Sequence, residues 1–415
     1  MSQLNFPEKI RTIHLIGICG TGMGTLAAML QEAGYQVQGS DENVYPPMST
    51  FLTSRGIPIK DGFRVENLKP PPDLVVVGNV IRRDNPEAVA TLESGLTYCS
   101  MPQALHQFFL NSSQSVVVAG THGKTTTAAL LVWLLTVAGM DPGCLVGGLL
   151  VNFHQSYRLG KGTYFVVEGD EYDTAFFDKG PKFLHYQPKI CVLTSVEFDH
   201  ADIFPDLKAV ESVFSRLVQS IPPDGLLVAN SDDPGASRLS RQARCPLVSY
   251  GFQGAADFRV ERVEYGLGTT RFTVSGPQGF VASLDSPLAG AHNLSNALRP
   301  FYGGRRLWAI FEPRTNSSKR RVFQERYAEV FAAADLVLIK EPPGLERIAP
   351  EERLSARQLV EDIAARGEEA HYFPDVDTML PFILSRVEPK DVLLVMSTGS
   401  FDNLIERLLA ELSNR

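Results

Sequence analysis

The segment that most constrains this chain is GTHGKTTT, residues 120–127, set between SVVVAG and AALLVWLLTVAG. A valine run, a glycine turn and an apolar run of helical length read as strand–turn–helix, the context a phosphate-binding turn requires. Backbone N–H groups of such a turn, and of the helix that follows, cradle phosphate oxygens. The turn and first helical residues are Gly120, Thr121, His122, Gly123, Lys124, Thr125 and Thr126. Lys124 is placed to reach the β- and γ-phosphates of a nucleotide, and Thr125 to set its hydroxyl on Mg²⁺. The standard pattern carries a further glycine earlier, where this chain has Val118 or Ala119, so the match is to the shorter form GxxGKTT. An ordinary helix N-terminus with a chance lysine would leave the coincidence of glycines, lysine and three threonines unexplained.

The same alternation of strand, turn and helix recurs elsewhere. RTIHLIGI (11–18), a glycine turn, an apolar helix from about Met23 to Ala33 and YQVQGSD (35–41) form one β–turn–α–β unit, continued by DLVVVGN (73–79). TYFVVEG (163–169) and KICVLTSV (189–196) follow the phosphate turn as further strands. FRVERVEY and TRFTVSG, between Phe258 and Leu288, alternate as a small antiparallel appendage does. RLWAIFE, DLVLIKE, HYFP and DVLLVMS, with helices expected near 320–333, 355–366 and 376–387, make a last α/β unit. With 415 residues, the chain is expected to form three α/β domains, 1–112, 113–300 and 301–415.

Composition narrows the class. A net charge of −8 argues against a general nucleic-acid binder, although anionic small ligands respond to local donors. No apolar run reaches the length of a membrane span, and Met1 to Lys9 lacks a signal-peptide pattern. The five cysteines are odd in number, widely spaced and without a CxxC pair, as expected of reduced thiols in a cytosolic protein.

Two acidic segments end strands that can flank the phosphate turn. VEGDEYD supplies Glu168, Asp170, Glu171 and Asp173; EFDHADIF supplies Glu197, Asp199, His200 and Asp202. Ligands of open α/β sheets gather at the carboxyl ends of the strands. Mg²⁺ takes only one or two protein carboxylates, so most of these acids need another role, for which a solvated charge cluster is the ordinary reading. Glu168 and His200 are the metal candidates. GICGTGMG (17–24), with Asp41 about twenty residues on, approximates a dinucleotide fingerprint, but Cys19 stands where the middle glycine belongs. A dinucleotide, another nucleotide or a purely structural turn all fit that segment.

The order of motifs says more than any one of them. GICGTGMG, GSD (39–41), GNVIRRDNPE (78–87), GTHGKTTT, VEGDEYD, EFDHADIF and GAHNLSNAL (290–298) resemble the Mur ligase family along nearly the whole chain. The resemblance implies a Rossmann-like N-terminal domain, a P-loop ATPase-like central domain and an α/β C-terminal domain. It implies an ATP- and Mg²⁺-dependent ligase that forms an amide on the carboxylate of UDP-N-acetylmuramate. GICGT, EYDTAFFDK, EFDHADIF and FEPRTNSSKRR are similar to the branch whose amine is the recycled murein tripeptide L-alanyl-γ-D-glutamyl-meso-diaminopimelate, rather than to the branch that adds single L-alanine. By that resemblance Gly17, Gly20, Gly22, Met23, Asp41 and Asn79 hold the UDP-sugar, and Gly120 to Thr126 the ATP phosphates. Thr125, Glu168 and His200 approach Mg²⁺; His292, Asn293 and Asn296 bind adenine; and Arg314, Asn316 and Ser317 meet the peptide. Lys124, Glu168 and His200 form the catalytic set.

The chain departs from the family at one place. GAHNLSNAL runs straight into RPFYGGRRLWAIFEPR, where the family has several dozen further residues with an Asp-Asp-x-x-His-His-Pro motif near the ATP ribose and phosphates. A helix begun at His292 is stopped by Pro300, so the junction of the central and C-terminal domains is shortened. A weakened variant, a non-catalytic relative and a mis-joined gene model are the three explanations. The expectation is a protein that binds UDP-N-acetylmuramate but turns ATP over poorly or not at all.

Overall fold

The computed structural model describes residues 6–199, 203–252, 254, 256–266, 269–286, 306–315, 318–331, 334–389, 391–397 and 400–412. The chain divides into two compact units: Met1–Glu197 with Lys208–Phe258, and Phe198–Leu207 with Arg259–Arg415.

The first unit holds two sheets. One is wholly parallel, in the order β3-β2-β1-β4-β5, built from β1 (Thr12–Ile16), β2 (Gln36–Asp41), β3 (Ile59–Asp61), β4 (Leu74–Val77) and β5 (Tyr98–Ser100). The runs IHLI and LVVV are buried along their length, as strands inside a parallel sheet are. Helix α1 (Thr21–Glu32) follows β1, α2 (Met48–Ser54) follows β2, and α3 (Pro86–Glu93) and α4 (Met101–Leu105) border β5. Local chemistry sets their starts. Asn85 accepts the N–H groups of Glu87 and Ala88 with Pro86 behind it, and Ser100 and Gln103 form a capping box.

The other sheet of this unit starts at β6 (Gln114–Ala119), from which the phosphate turn leads into α5 (Lys124–Val137). It continues with β7 (Gly143–Leu150), β8 (Gln155–Arg158), β9 (Tyr164–Gly169), β12 (Ile190–Leu193), β13 (Leu226–Asn230) and β14 (Leu247–Gly251). A separate hairpin pairs β10 (Asp173–Ala175) with β11 (Asp178–Pro181). The order is β14-β13-β12-β6-β9-β7-β8, parallel except for β8. Because β6 lies between β12 and β9, both acidic segments leave the sheet beside the phosphate turn. Helices α6 (Leu207–Ser220) and α7 (Pro234–Ser240) complete the strand–helix alternation.

In the second unit, β15 (Phe258–Gly266), β16 (Thr269–Gly276) and β17 (Phe280–Ser286) form the antiparallel appendage. A parallel sheet runs β20-β19-β18-β21, from β18 (Leu307–Phe311), β19 (Leu336–Lys340), β20 (Glu369–Phe373) and β21 (Val392–Met396). Its side chains alternate between two cores. Trp308 and Ile310 pack with Met379, Ile383 and Leu404 of α10 (Val376–Arg386) and α11 (Leu404–Leu412). Leu307 and Ala309 pack instead with Ala328 of α8 (Gln324–Val330) and with Leu359 and Ile363 of α9 (Ala356–Ala364). The sequence expected one long helix over 320–333. A short 3-10 turn at Arg321–Phe323 precedes α8 instead.

Candidate active site

The phosphate turn is closed by glycine geometry. Gly120 has φ +139° and Gly123 φ +80°, conformations that side chains with a Cβ rarely adopt. A Cβ on Gly120 would fall onto Thr194 Oγ1 and within 2.8 Å of Ser195 N. The turn is stitched to the chain leaving β12. Thr121 N donates to Ser195 O at 2.8 Å, His122 N to Ser195 Oγ at 3.0 Å, and Thr194 Oγ1 to His122 O at 2.6 Å. Glu197 N donates to Thr121 Oγ1 at 2.9 Å. Thr194 and Ser195 escaped the sequence reading. Their signal was a Thr-Ser pair at the exit of the strand that neighbours β6.

The side chains of the turn converge on the acidic segment after β9. Thr125 Oγ1 donates to Glu168 Oε2 at 2.9 Å, and Glu168 Oε1 accepts Gly147 N at 2.5 Å. Lys124 Nζ donates to Gly120 O at 2.7 Å and lies 3.2 Å from Glu171 Oε2. Glu171 is only 4% exposed, so it is a buried partner of the turn lysine and no solvated charge. Asp170 pairs with Lys182 at 2.6 Å and accepts Tyr172 N at 3.0 Å, while Asp173 pairs with Lys179 at the surface. His122 and Glu197 approach to 4.0 Å. The N–H groups of Lys124, Thr125 and Thr126 occupy the first turn of α5, where no intrahelical acceptor exists.

Thr125 and Glu168 present two hard oxygen donors at the start of α5, which suits Mg²⁺ with water and phosphate oxygens completing its shell. Among the described residues no group of three or more His, Cys, Asp or Glu side chains converges on a metal position. His200, the third metal candidate, lies outside the described residues, as do His292, Asn293, Asn296, Asn316 and Ser317.

The glycine turn after β1 is tied to β2. Gly17, with φ +85°, and Ile18 both donate their N–H to Ser40 O, at 2.9 and 3.1 Å. Asp41 is 8% exposed; its Oδ2 accepts Cys19 N and its Oδ1 accepts Asn43 N, both at 2.9 Å. Asp41 thus braces the turn from the neighbouring strand. Burial and the Asp41 charge push the Cys19 thiol up to about 11, so it is neutral. Gly20 and Gly22 are exposed beside the start of α1, and Asn79 is exposed just past β4. Met23 is buried at 6%, so its N–H, with those of Thr21 and Gly22 in the first turn of α1, is what it can offer a ligand.

Beneath this turn lies a buried pair missed by the sequence reading. His14 Nε2 is 2.9 Å from Glu87 Oε2, and both side chains are fully buried. Ser40 Oγ donates to the same oxygen at 2.5 Å; Asn67 Nδ2 and Arg64 N donate to the other at 2.7 and 3.0 Å. Burial works to raise the Glu87 carboxyl, but the hydrogen bonds from His14, Ser40 and Asn67 outweigh it and hold it below the usual range.

In the second unit, Arg314 follows β18. Its Nη1 donates to Glu312 Oε2 at 3.2 Å, and its side chain is 37% exposed. No helix among the described residues is long and apolar enough to cross a membrane.

Two parallel-sheet cores in the first unit, a braced glycine turn in one and a lysine-bearing phosphate turn in the other, and an α/β sheet in the second unit define a nucleotide-dependent enzyme of modular build. Three family profiles match in chain order: Mur ligase family, catalytic domain, over residues 12–112; Mur ligase middle domain over 118–301; and Mur ligase, glutamate ligase domain over 285–399. The chain is 34% identical to a Haemophilus influenzae protein named UDP-N-acetylmuramate–L-alanyl-γ-D-glutamyl-meso-2,6-diaminoheptandioate ligase, covering 97% of this chain and 99% of that one. It is 26% identical to a UDP-N-acetylmuramate–L-alanine ligase of Alkaliphilus metalliredigens, covering 99% and 100%. Among solved structures it matches a murein peptide ligase of Psychrobacter arcticus at 30% identity and a TM-score of 0.66, over 98% and 99% of the two chains. The chain belongs to the Mur ligase family.

The comparisons also bear on the shortened junction. The alignment with the Haemophilus protein runs over 463 positions, more than the 415 residues of this chain. The middle-domain match ends at 301, after the C-terminal match has begun at 285.

Proposed function

We propose that this chain is a cytoplasmic ATP-dependent ligase of peptidoglycan recycling. It joins the lactyl carboxylate of UDP-N-acetylmuramate to the L-alanine amine of L-alanyl-γ-D-glutamyl-meso-diaminopimelate. The observation that carries this reading is the full-length likeness to a tripeptide-adding relative at 34%, against 26–29% for alanine-adding ones. The arrangement of Lys124, Thr125 and Glu168 supports the ATP half of it.

In this reading residues 1–112 bind the UDP-sugar through Gly17, Gly20, Gly22, Met23, Asp41 and Asn79. Residues 113–300 bind ATP through Gly120 to Thr126, with His292, Asn293 and Asn296 at adenine. Residues 301–415 meet the peptide through Arg314, Asn316 and Ser317. An oxygen of the lactyl carboxylate attacks the γ-phosphorus as the bond to ADP breaks. The amine nitrogen then attacks the acyl phosphate carbon, inorganic phosphate leaves and the nitrogen sheds its proton. Lys124 offsets charge on the transferring phosphoryl group, and the turn N–H groups fix its position; positioning and charge supply most of the rate in such transfers. Mg²⁺, held by Thr125 and Glu168 with His200, would neutralise phosphate charge when bound.

A second reading, a protein that binds the sugar nucleotide without turnover, is favoured by the overlap of the two family matches at 285–301. Phosphate release with UDP-N-acetylmuramate and either tripeptide or L-alanine, run beside calorimetry with the sugar nucleotide alone, separates the cases. Tripeptide-dependent release at roughly 1 per second or faster supports the ligase. Binding without release supports the silent relative, and release with L-alanine alone assigns the alanine branch. No binding of the sugar nucleotide removes both readings.

A further inference from the structure

In the second unit the chain steps from β18 to β19 and β20 on one side and returns to β21 on the other. Ligands of open parallel sheets lie at the strand carboxyl ends where the order reverses, here beside the ends of β18 and β21. A compact set of charges occupies that place. Glu312 follows β18 and is 1% exposed; Lys340 ends β19 and is 6% exposed. Lys340 Nζ lies 2.8 Å from Glu312 Oε1. Glu312 Oε2 accepts Ser397 Oγ, which follows β21, at 2.7 Å and Arg314 Nη1 at 3.2 Å. Asp402 closes the set on Lys340 at 3.1 Å from a turn in which Phe401, Asp402 and Asn403 all have positive φ, 49°, 50° and 57°.

A buried carboxylate is kept where it is matched by cations and donors. Glu312 is matched twice over: Lys340 takes one oxygen, and Ser397 with Arg314 takes the other. The arginine is the cation of the set that leaves the interior. Nη1 is tied to Glu312, and among the described residues that leaves the Nε–Nη2 edge of the guanidinium, the edge that grips a carboxylate with two parallel hydrogen bonds.

We propose that Glu312, locked by Lys340 and Ser397, is a positioning residue that aims Arg314 at a carboxylate of the incoming peptide. The proposal rests on the peptide-ligase reading above, and it assigns peptide selectivity to a buried pair that touches no substrate. Lys340 holds Oε1 of Glu312, so the carboxylate meets Arg314 and Ser397 through Oε2.

The test is calorimetry on the full chain with UDP-N-acetylmuramate present, titrating the tripeptide and a counterpart with its carboxylates amidated. Glu312→Gln and Lys340→Met are each expected to weaken tripeptide binding on the order of tenfold or more, the scale of one charge-assisted hydrogen bond. They should leave sugar-nucleotide binding unchanged and add nothing to the weak binding of the amidated peptide. Lys340→Arg should restore most of the affinity, and it serves as the second variant if Lys340→Met fails to fold. A tripeptide affinity equal to wild type in a folded Glu312→Gln protein would overturn the positioning role alone. An equal loss for both peptides would also overturn it, as a general packing effect. Wild-type protein that binds the sugar nucleotide but no tripeptide would overturn the peptide-ligase reading, and this inference with it.

Discussion

The ammonium of Lys124 lies 3.2 Å from a carboxylate oxygen of Glu171, a residue almost wholly removed from solvent. The phosphate turn therefore carries its own counter-charge before any nucleotide arrives. Triphosphate has to draw Lys124 away from Glu171, so Glu171→Gln is expected to tighten ATP binding. Lys124→Ala is expected to abolish turnover in a folded protein, a loss of at least ~3 kcal/mol of transition-state stabilisation. Nucleotide titrations of both variants check the pair; weaker ATP binding in Glu171→Gln would mean that the acid serves the nucleotide instead of competing with it.

Gly120 is the position at which the turn tolerates least. An added methyl group would meet Thr194 and Ser195 while φ stays at +139°. Gly120→Ala should cost ~1–3 kcal/mol of stability, the range for overpacking and strained backbone, and should lower ATP affinity with it. Thermal melts with and without nucleotide read both effects. An unchanged melt would show that the strand exit at Thr194 moves freely.

Glu168 bridges Thr125 Oγ1 and Gly147 N. If it supports Mg²⁺ from there, Glu168→Ala should need more Mg²⁺ for half-maximal nucleotide binding, and raised Mg²⁺ should recover part of the affinity. His200→Ala should behave alike. A variant whose Mg²⁺ dependence overlays wild type has no part in the metal site.

The Glu87 carboxyl is held below its ordinary value of 4.5 in the folded chain. A depressed acid stabilises the fold fully above its unfolded value and ceases to do so as pH falls through the folded one. Glu87→Gln is thus expected to lose ~1.5–3 kcal/mol at neutral pH, the scale of hydrogen bonds to a buried charge. The gap from wild type should close as the pH drops below about 4.5. Denaturant unfolding across that range is the measurement; a gap that stays constant with pH would show that Glu87 is protonated throughout.

The sheets were legible because their strands are short apolar runs next to glycine turns; Lys124 and Thr125 were legible because a motif fixes their spacing, and Glu168 as an acid at the end of a strand. Thr194, Ser195 and Glu171 were not. Their roles depend on β12 and β9 standing on either side of β6, a three-strand order that no local pattern carries. Glu87 and His14 lie 73 positions apart, and a glutamate at a helix start reads as ordinary N-terminal charge until β1 is laid beneath it. Asp41 was expected to face a ligand. Its bond to Asn43 N is local, but its bond to Cys19 N arises because β2 pairs with β1 in the sheet, again a relationship of order and not of motif.

The bracing of residues 17–19 by Ser40 and Asp41 has a kinetic consequence. Gly17, Ile18 and Cys19 already spend their N–H groups on β2, so this turn offers a ligand no loose backbone to freeze. An encounter with such a surface is a single docking step with no isomerisation behind it. In stopped-flow experiments the observed rate for the sugar nucleotide should climb in a straight line with its concentration and show no plateau.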